Sequence, residues 1–265
     1  MDYIQSFCSD IGSKRKTNQD SLALLKAETA YGDILLAVMC DGMGGHSEGE
    51  LASKFCVTEM ADWFRNAFPD ILYAGVGPAA LKNDWKHLLE DVNLLLFRYG
   101  EKYHSQLGST MTACLFWGSQ YFCVHVGDSR MYEISDEVLQ VTRDHSWVEQ
   151  EIAKGNLTRE EAEHDRRRNI LLECMGITDS VSMDFYTGEI IPDTVYLLCT
   201  DGFWHCQKPG EMKQLCRGET IHSNKELQDI LENLVDMALD RGEKDNISVI
   251  GVVPKPDKET ADGLQ

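Results

Sequence analysis

Aspartates stand at the ends of four apolar segments, and each is next to glycine or another small residue. The sites are Asp41-Gly42-Met43-Gly44-Gly45, Gly127-Asp128-Ser129-Arg130, Thr200-Asp201-Gly202 and Asp245-Asn246. One Asp-Gly after a strand is usually a turn, but several in one chain favour a chemical role. Carboxylate and carbonyl oxygens are the ligands that Mg²⁺ and Mn²⁺ prefer, and the glycine after Asp41 would let the backbone approach an ion closely. The sequence therefore predicts a site for hard divalent cations.

The elements that must position these aspartates are short apolar runs, which we predict as buried strands. The strong predictions are Ile34–Cys40, Thr110–Trp117, Tyr121–Val126, Val195–Cys199 and Ile247–Val253. Weaker strands are predicted at Ser21–Lys26, Met131–Ile134 and Val181–Tyr186. Gly118-Ser119-Gln120, between the second and third strong runs, predicts a hairpin.

Three segments have the apolar periodicity of helices. They run from Leu51 to Phe64, after a Ser47-x-x-Glu50 capping box, from Leu81 to Tyr99, and from Leu227 to Ala238. We interpret all three apolar stripes, including Leu95 and Tyr99, as faces that pack on a sheet. Paired strands between blocks of helix predict an α+β fold in one domain over residues 1–254, with a polar tail over 255–265.

The composition excludes several classes of partner. Forty-four acidic and 25 basic residues give a net charge of −19, which disfavours binding to nucleic acid or to anionic membranes. No apolar run reaches the roughly 18 residues of a membrane span, and the first residues lack the pattern of a signal peptide. We therefore expect a cytoplasmic protein, and we expect a monomer.

The nine cysteines include no Cys-x-x-Cys pair. Cys40, Cys114, Cys123 and Cys199 lie inside apolar runs, where a thiol behaves as a small hydrophobic group. We expect buried, reduced thiols, and neither cysteine catalysis nor a zinc site is indicated.

Motifs along nearly the whole chain resemble those of the metal-dependent protein phosphatases of type 2C, the PPM family. In chain order they are Gly12-x-x-Arg15-x-x-Asn18-Gln19-Asp20, Asp41-Gly42-Met43-Gly44-Gly45-His46, Gly108-Ser109-Thr110, Val126-Gly127-Asp128-Ser129-Arg130, Thr142-x-Asp144-His145-Ser146, Thr200-Asp201-Gly202 and Asp245-Asn246-Ile247-Ser248-Val249. Each motif alone is weak, but their common order is specific. Gln19 and Met43 resemble bacterial members more than animal ones.

The resemblance implies a four-layer α/β/β/α sandwich with two central, mostly antiparallel sheets. It also implies two tightly bound Mn²⁺ or Mg²⁺ ions and, in bacterial members, a third. By position, Asp41 would bridge two ions and the Gly42 carbonyl would bind one of them. Asp201 and Asp245 would complete the other site, while Asp20 would hold metal-bound water.

Further roles are implied by the same resemblance. Asp128, together with Asp201, would hold the third ion, and Arg15 would grip the substrate phosphate. Residues 146–176 would form a flap beside the cleft. The substrates would be proteins that a serine/threonine kinase has phosphorylated on serine or threonine.

The implied reaction is hydrolysis by a water or hydroxide that bridges two metals and attacks phosphorus in line, without a covalent phosphoenzyme. Animal members usually carry glutamate in place of Gln19 and histidine in place of Met43. Met43 cannot act as the general acid, so His46, the nearest histidine in sequence, is a catalytic candidate. A metal-bound water is the alternative donor and our preferred one. We expect the protein to be active with Gln19 and Met43 at these two positions.

Three other functions compete with this interpretation. A pseudophosphatase would have lost a metal aspartate, and none is lost here. A haloacid-dehalogenase-type hydrolase would need an Asp-x-Asp pattern, but position 43 is Met. A regulatory phosphatase dedicated to one protein of a stress or sporulation pathway would differ in substrate only, and it stays open.

Overall fold

The computed structural model describes residues 1–29, 32–45, 48–75 and 78–256. Its strands are β1 (Asp2–Asp10), β2 (Asp20–Thr29), β3 (Gly32–Gly44), β4 (Leu107–Ser109), β5 (Met111–Trp117), β6 (Gln120–Val126), β7 (Arg130–Ile134), β8 (Val138–Gln140), β9 (Asp184–Glu189), β10 (Val195–Cys199) and β11 (Ile247–Lys255). Its α-helices are α1 (Glu48–Asn66), α2 (Phe68–Tyr73), α3 (Pro78–Tyr103), α4 (Trp147–Ala153), α5 (Arg159–His164), α6 (Asp201–Trp204), α7 (Pro209–Leu215) and α8 (Asn224–Asp240), with a 3₁₀ turn at Gly218–Thr220.

The strands form two sheets, in which every described pair is antiparallel. One sheet has the order β1-β11-β10-β7-β8, and the other has the order β2-β3-β5-β6-β9, with β4 paired to β3. Helices α1 and α3 pack on the second sheet, and α8 packs on the first. The predicted α+β four-layer α/β/β/α sandwich is thereby confirmed.

Strand β3 shows why the central runs are apolar throughout. Its alternate residues Leu35, Ala37 and Met39 enter the core between the sheets, whereas Leu36 and Val38 face the helices. Because side chains alternate between the two faces of a strand, a strand that is covered on both faces carries no polar alternation. This burial fixes the strand register, and the register fixes the positions of the residues at the strand ends.

The core between the sheets is built around aromatic residues. Phe116 is fully buried, and its ring lies 5.2 Å from the ring of Tyr196 in an edge-on arrangement. Tyr196 also contacts Tyr121 at 5.6 Å. These contacts join β5 and β6 of one sheet to β10 of the other, so the two sheets cannot slide independently.

Most of the predicted elements are present, with some corrections. The hairpin is confirmed, because Gly118 and Ser119 connect Trp117 to its partner Gln120. The prediction at Val181–Tyr186 began too early, since β9 starts at Asp184. β1 was missed because its sequence is half polar, and it is an edge strand that pairs with β11.

Three predictions near chain or helix ends either differ from the structure or fall outside the residues that it describes. Leu51, Leu95 and Tyr99 are exposed and do not pack on the sheet as predicted. β11 extends through Lys255, which was assigned to the polar tail, while residues 257–265 of that tail lie outside the described residues. Ser47 of the proposed capping box also lies outside them.

The buried thiols agree with the sequence prediction. Cys40, Cys114, Cys123 and Cys199 are buried, and every cysteine is a free thiol. None of the helices in the described part of the chain combines the length and apolar composition that crossing a bilayer requires.

Phe116→Ala should test the junction between the sheets. Truncation would remove the Tyr196 contact and leave a cavity, so we expect the free energy of unfolding to fall by about 3–5 kcal/mol. The measurement is urea unfolding followed by circular dichroism. Tyr73→Ala is the matched control, because Tyr73 is 95% exposed, and its change should stay within about 0.5 kcal/mol. Equal effects of the two substitutions would contradict this role of Phe116.

Candidate metal centre

Two of the predicted aspartates are neighbours across the sheet. Asp20 begins β2 and is the register partner of Asp41 in β3. The backbone of Asp41 is fixed by Thr110, because the Asp41 N–H donates to the Thr110 hydroxyl at 2.8 Å. The Thr110 N–H donates in turn to the Asp41 carbonyl, also at 2.8 Å. Asp41 is thus held on a rigid strand end.

Gly42 is required by the close packing of β3 against α1. A Cβ atom at this position would lie 2.0 Å from the carbonyl oxygen of Gly49 and 2.7 Å from that of Gln19. The Gly42 N–H donates to the Gln19 carbonyl at 3.1 Å. The last residues of β3 can therefore lie this close to α1 only with glycine at position 42.

The second pair of aspartates comes from the other sheet. Asp201 follows β10 as the first residue of α6, and Asp245 precedes β11. A Cβ atom on Gly202 would lie 2.1 Å from the Asn246 carbonyl, and one on Gly12 would lie 1.9 Å from the Asp245 carbonyl. Because Gly12 and Gly202 have no side chain, the backbone of Asp245 and Asn246 can lie directly against the two segments that carry these glycines.

The side chain of Asn246 holds these loops together. It accepts a hydrogen bond from the Gln19 N–H at 2.8 Å. Its amide donates to the carbonyls of Ile11 at 2.8 Å and Thr17 at 3.1 Å. The loop between β1 and β2 is therefore fixed to the start of β11, which brings Asp20 close to Asp245.

Burial and mutual repulsion perturb the Asp20 carboxyl. Its pKa is raised to about 7, chiefly by burial, although hydrogen bonds from Ser248 and Thr200 oppose the rise. The nearby carboxylates of Asp201 and Asp245 raise the pKa further. Asp20 therefore carries an electrostatic cost that a nearby cation would relieve.

Asp41 and Asp201 show the same effect. Burial raises the pKa of Asp41 well above its usual range, and Asp20 and Asp201 are the next largest causes. The pKa of Asp201 is raised to about 6 by burial and by Asp245, while hydrogen bonds from the Gly202 backbone and from Asp41 oppose the rise. The carboxyl groups of Asp41 and Asp201 thus perturb each other's ionisation.

Two buried oxygens in this cluster have no hydrogen-bond partner, namely Oδ1 of Asp20 and Oδ1 of Asp201. Buried acceptors of this kind are rare, and a cation is one group that satisfies them. The donor set consists of oxygen atoms only and so suits Mg²⁺ or Mn²⁺. Within the described residues, no three acidic, histidine or cysteine side chains already converge into a closed ligand group. The fit to a metal thus rests on the orphaned oxygens and the crowded carboxyls.

Asp128 lies close enough to this cluster to interact with it. Its pKa is raised well above the usual range by burial and then by Asp201 and Asp144, against an opposing effect of Arg130. The Asp128 carbonyl accepts a hydrogen bond from the Trp204 indole at 3.0 Å.

Arg130 supports the same loop from the other side. Its guanidinium stacks on the Trp204 ring at 3.3 Å and makes an ion pair of 2.7 Å with Asp144. The loop that carries Asp128 is thereby tied to α6, in which Asp201 lies.

Of the two remaining predicted site residues, Arg15 is described by the structure and His46 is not. Arg15 is 48% exposed and makes an ion pair of 2.5 Å with Asp245, so the structure brings the predicted phosphate-binding group to a predicted metal ligand. His46 lies outside the described residues. Its proposed role as general acid is therefore not addressed by the structure.

The predicted flap contains α4 and α5, and both of its ends are fastened near the cluster. Ser146 bridges to Leu171, and Met175 bridges to Ser109. The Leu172 N–H also donates to the His145 carbonyl at 2.7 Å. Within the segment, Arg167 stacks on Trp147 at 3.6 Å.

Two supporting residues were missed by the sequence interpretation. The Thr200 hydroxyl donates to Oδ2 of Asp20 at 2.9 Å, and the Glu243 carboxylate accepts from the Asp245 N–H at 3.0 Å. Thr200 directly precedes Asp201 in a quoted motif, so its position was a usable signal. Glu243 carried none, because its contact depends on the turn after α8.

Comparison with known proteins gives a consistent result. A family model described as protein phosphatase 2C matches residues 12–242. Protein phosphatase PhpP of Streptococcus pneumoniae is 32% identical over 247 residues, which cover 92% of this chain and 94% of PhpP.

Solved structures agree with that match. Serine/threonine phosphatase Stp1 from Staphylococcus aureus is 28% identical, with a TM-score of 0.84 over 97% of this chain and 96% of Stp1. The catalytic domain of serine threonine protein phosphatase PstP, solved in complex with two manganese ions, is 26% identical, with a TM-score of 0.76 over 96% of this chain and 99% of that one. From its motifs, its fold and these matches, we conclude that this chain belongs to the protein phosphatase 2C family.

Proposed function

We propose that this chain hydrolyses phosphoserine and phosphothreonine in proteins and depends on Mn²⁺ or Mg²⁺. The single observation that carries the proposal is the partly buried carboxylate cluster, in which Asp20 and Asp201 each present a buried oxygen without a partner. The names of the relatives, which are serine/threonine phosphatases, support the substrate class. The manganese ions of PstP support the choice of metal.

Roles for the metal ligands follow from their placement and from the family. The pKa of Asp41 is raised by burial and then by both Asp20 and Asp201, and a carboxylate that interacts with carboxylates of both sheets suits the role of bridging two ions. The Gly42 carbonyl would complete one site, and Asp201 with Asp245 would complete the other. Bound divalent cations would activate water and neutralise charge on the phosphoryl group.

The other residues of this chain would orient these groups. The Thr200 hydroxyl donates a hydrogen bond to Oδ2 of Asp20. Oδ1, the other carboxylate oxygen, has no hydrogen-bond partner. Arg15 would bind the phosphate through its guanidinium fork. Because Arg15 is paired with Asp245 in this structure, a metal at Asp245 would weaken that pair and release the guanidinium for substrate.

Asp128 would support a third, weaker ion together with Asp201. Its pKa is raised by Asp201, which supports the shared site. We also propose a cytoplasmic monomer that opposes a serine/threonine kinase. The pseudophosphatase alternative is not favoured, since Asp20, Asp41, Asp201 and Asp245 are all retained.

Metal dependence is the first test. Purified protein stripped of metal should be inactive on a phosphothreonine peptide, and Mn²⁺ or Mg²⁺ should restore turnover, because the ligands are oxygen atoms. A phosphotyrosine peptide assayed alongside should be the poorer substrate. Full turnover in excess chelator, or restoration by Zn²⁺ alone, would contradict the proposal.

Asp41→Asn should abolish activity and also stabilise the metal-free protein. A neutral amide is a poor metal ligand, so we expect less than about a tenth of the wild-type rate at saturating Mn²⁺. Since the pKa of Asp41 is raised, ionisation of Asp41 destabilises the metal-free fold as pH rises through and above its ordinary pKa. The variant should therefore melt above wild type in chelator at pH 8.

Asp136→Asn is the matched control for that experiment, because Asp136 lies exposed in the turn between β7 and β8. It should change neither the rate nor the melting temperature in chelator. If Asp41→Asn kept most of the activity, or melted below wild type without metal, Asp41 would not be a crowded metal ligand.

Gly202→Ala should damage the centre by a steric route. Its Cβ would meet the Asn246 carbonyl at 2.1 Å, which would push Asp201 away from Asp245. We expect the Mn²⁺ concentration for half-maximal activity to rise by about tenfold or more. Gly210→Ala is the control, because a Cβ there has no neighbour within 4 Å. A normal Mn²⁺ requirement in Gly202→Ala would refute the inferred contact between the loops.

A further inference from the structure

His145 lies between the loop that carries Asp128 and the end of the predicted flap. Its backbone N–H donates to the Gly127 carbonyl at 2.7 Å, and its own carbonyl accepts from the Leu172 N–H at 2.7 Å. Its side chain is only 13% exposed. The backbone of this one residue therefore contacts both the loop and the flap.

The side chain of His145 holds the same loop a second time. The Gly127 N–H donates to Nδ1 of the imidazole at 3.3 Å. Because a backbone N–H can only donate, Nδ1 must be the nitrogen without a proton. Nε2 then carries the proton and donates to Oδ2 of Asp184 at 3.2 Å. These two bonds together select the neutral ring with its proton on Nε2.

Asp184 is itself fixed in an orientation that suits this tautomer. The Tyr186 hydroxyl accepts from the Arg143 N–H at 3.1 Å, so its own proton is directed to Oδ2 of Asp184, at 3.2 Å. A carboxylate accepts without donating, and the same oxygen can therefore also accept from Nε2 of His145. Carboxylates commonly fix the tautomer and the orientation of a histidine in this way.

A second histidine supports the other side of Asp128. The Thr112 hydroxyl has one proton, which it donates to the Ser129 carbonyl at 3.2 Å. It therefore accepts from Nδ1 of His125, at 2.9 Å. The His125 ring is fully buried, and burial lowers its pKa to about 4, so the ring is neutral at physiological pH. It contacts the His145 ring at a centroid distance of 4.9 Å.

Asp128 is thus held through both of its neighbours in the chain. Gly127 is bonded to His145 through its N–H and through its carbonyl, and the Ser129 carbonyl is bonded to Thr112. The connection between β6 and β7 consists of these three residues alone. A metal ligand must be placed to within about 0.5 Å, which requires support of this kind around it.

We propose that His145 is a positioning residue for the third cation site: its neutral imidazole, oriented by Asp184, fixes the loop of Asp128 and couples that loop to the end of the flap. The proposal rests on the proposed function, in which Asp128 and Asp201 hold the weaker ion. It gives His145 no contact with substrate or with the two tightly bound ions. Displacement of the flap at Leu172 would therefore alter the weaker site and leave the central pair intact.

The first test measures the loop without any metal. Exchange of the Gly127 amide proton is followed by NMR in excess chelator for wild type, His145→Asn and His145→Leu. Asparagine keeps an acceptor oxygen where Nδ1 lies, whereas leucine cannot accept. We expect His145→Leu to speed this exchange by about tenfold, the effect of losing one hydrogen bond, and His145→Asn to stay within about threefold of wild type.

His87→Leu is the matched control, because His87 is exposed on α3, and it should leave exchange at Gly127 unchanged. If His145 acted only as a packed ring, the order would be reversed, since leucine replaces more of the ring volume than asparagine does. Equal exchange in His145→Asn and His145→Leu, or faster exchange in His145→Asn, would overturn the proposal.

The nitrogen chemical shifts of the His145 ring read the tautomer directly in the same metal-free wild-type sample. They should show a proton on Nε2 and none on Nδ1, because Nδ1 accepts from the Gly127 N–H. A proton on Nδ1 would contradict the proposed contact.

The last test counts bound Mn²⁺ by electron paramagnetic resonance, which detects the free ion. Wild type should bind two ions tightly and one weakly. His145→Leu should raise Kd of the weak site by about tenfold with the tight sites unchanged, as loss of support around a ligand does, and His145→Asn should retain it. Two ions only in wild type, or weaker tight sites in His145→Leu, would overturn the proposal. A wild type that binds Mn²⁺ as expected but hydrolyses no phosphopeptide would refute the proposed function alone.

Discussion

The crowding of partly buried carboxylates where the two sheets meet is the constraint on which the rest of the structure depends. Asp20, Asp41 and Asp201 have raised pKa values because burial and mutual repulsion disfavour their charge. Such a cluster is unfavourable for folding and persists only where the surrounding backbone leaves it no alternative. We propose that the cluster is a preorganised binding site for cations, whose charge would offset the repulsion between the carboxylates.

The sandwich keeps the backbone around these carboxylates rigid in two ways. The buried strands fix the register, so Asp20 at the start of β2 and Asp41 near the end of β3 must lie side by side. The loops of the other sheet are then locked to them by the side chain of Asn246, which reaches Ile11, Thr17 and Gln19. Glycines at the contact points allow backbone to lie against backbone, where any side chain would force the loops apart.

Much of this was predictable from the sequence, and the exceptions have physical causes. Asp41 and Asp201 were identified because each ends an apolar run and precedes glycine, which are local signals. Thr200 stands beside Asp201 in a quoted motif, but its hydrogen bond to Asp20 joins residues 180 positions apart, so the motif marks the residue without indicating its partner. Leu95 and Tyr99 were wrongly predicted to pack on the sheet. The core still covers the neighbouring Leu96, and periodicity shows that a helix has an apolar face but not how wide a part of that face is covered.

The claim that these carboxylates hold two divalent cations is tested most directly by anomalous X-ray scattering from crystals grown with Mn²⁺. The account predicts two strong manganese peaks, both within coordination distance of Asp41, with the Gly42 carbonyl on one and Asp201 and Asp245 on the other. It also predicts that the Arg15 guanidinium has left Asp245. A well-ordered structure at saturating Mn²⁺ with no peak beside Asp41 would contradict the account.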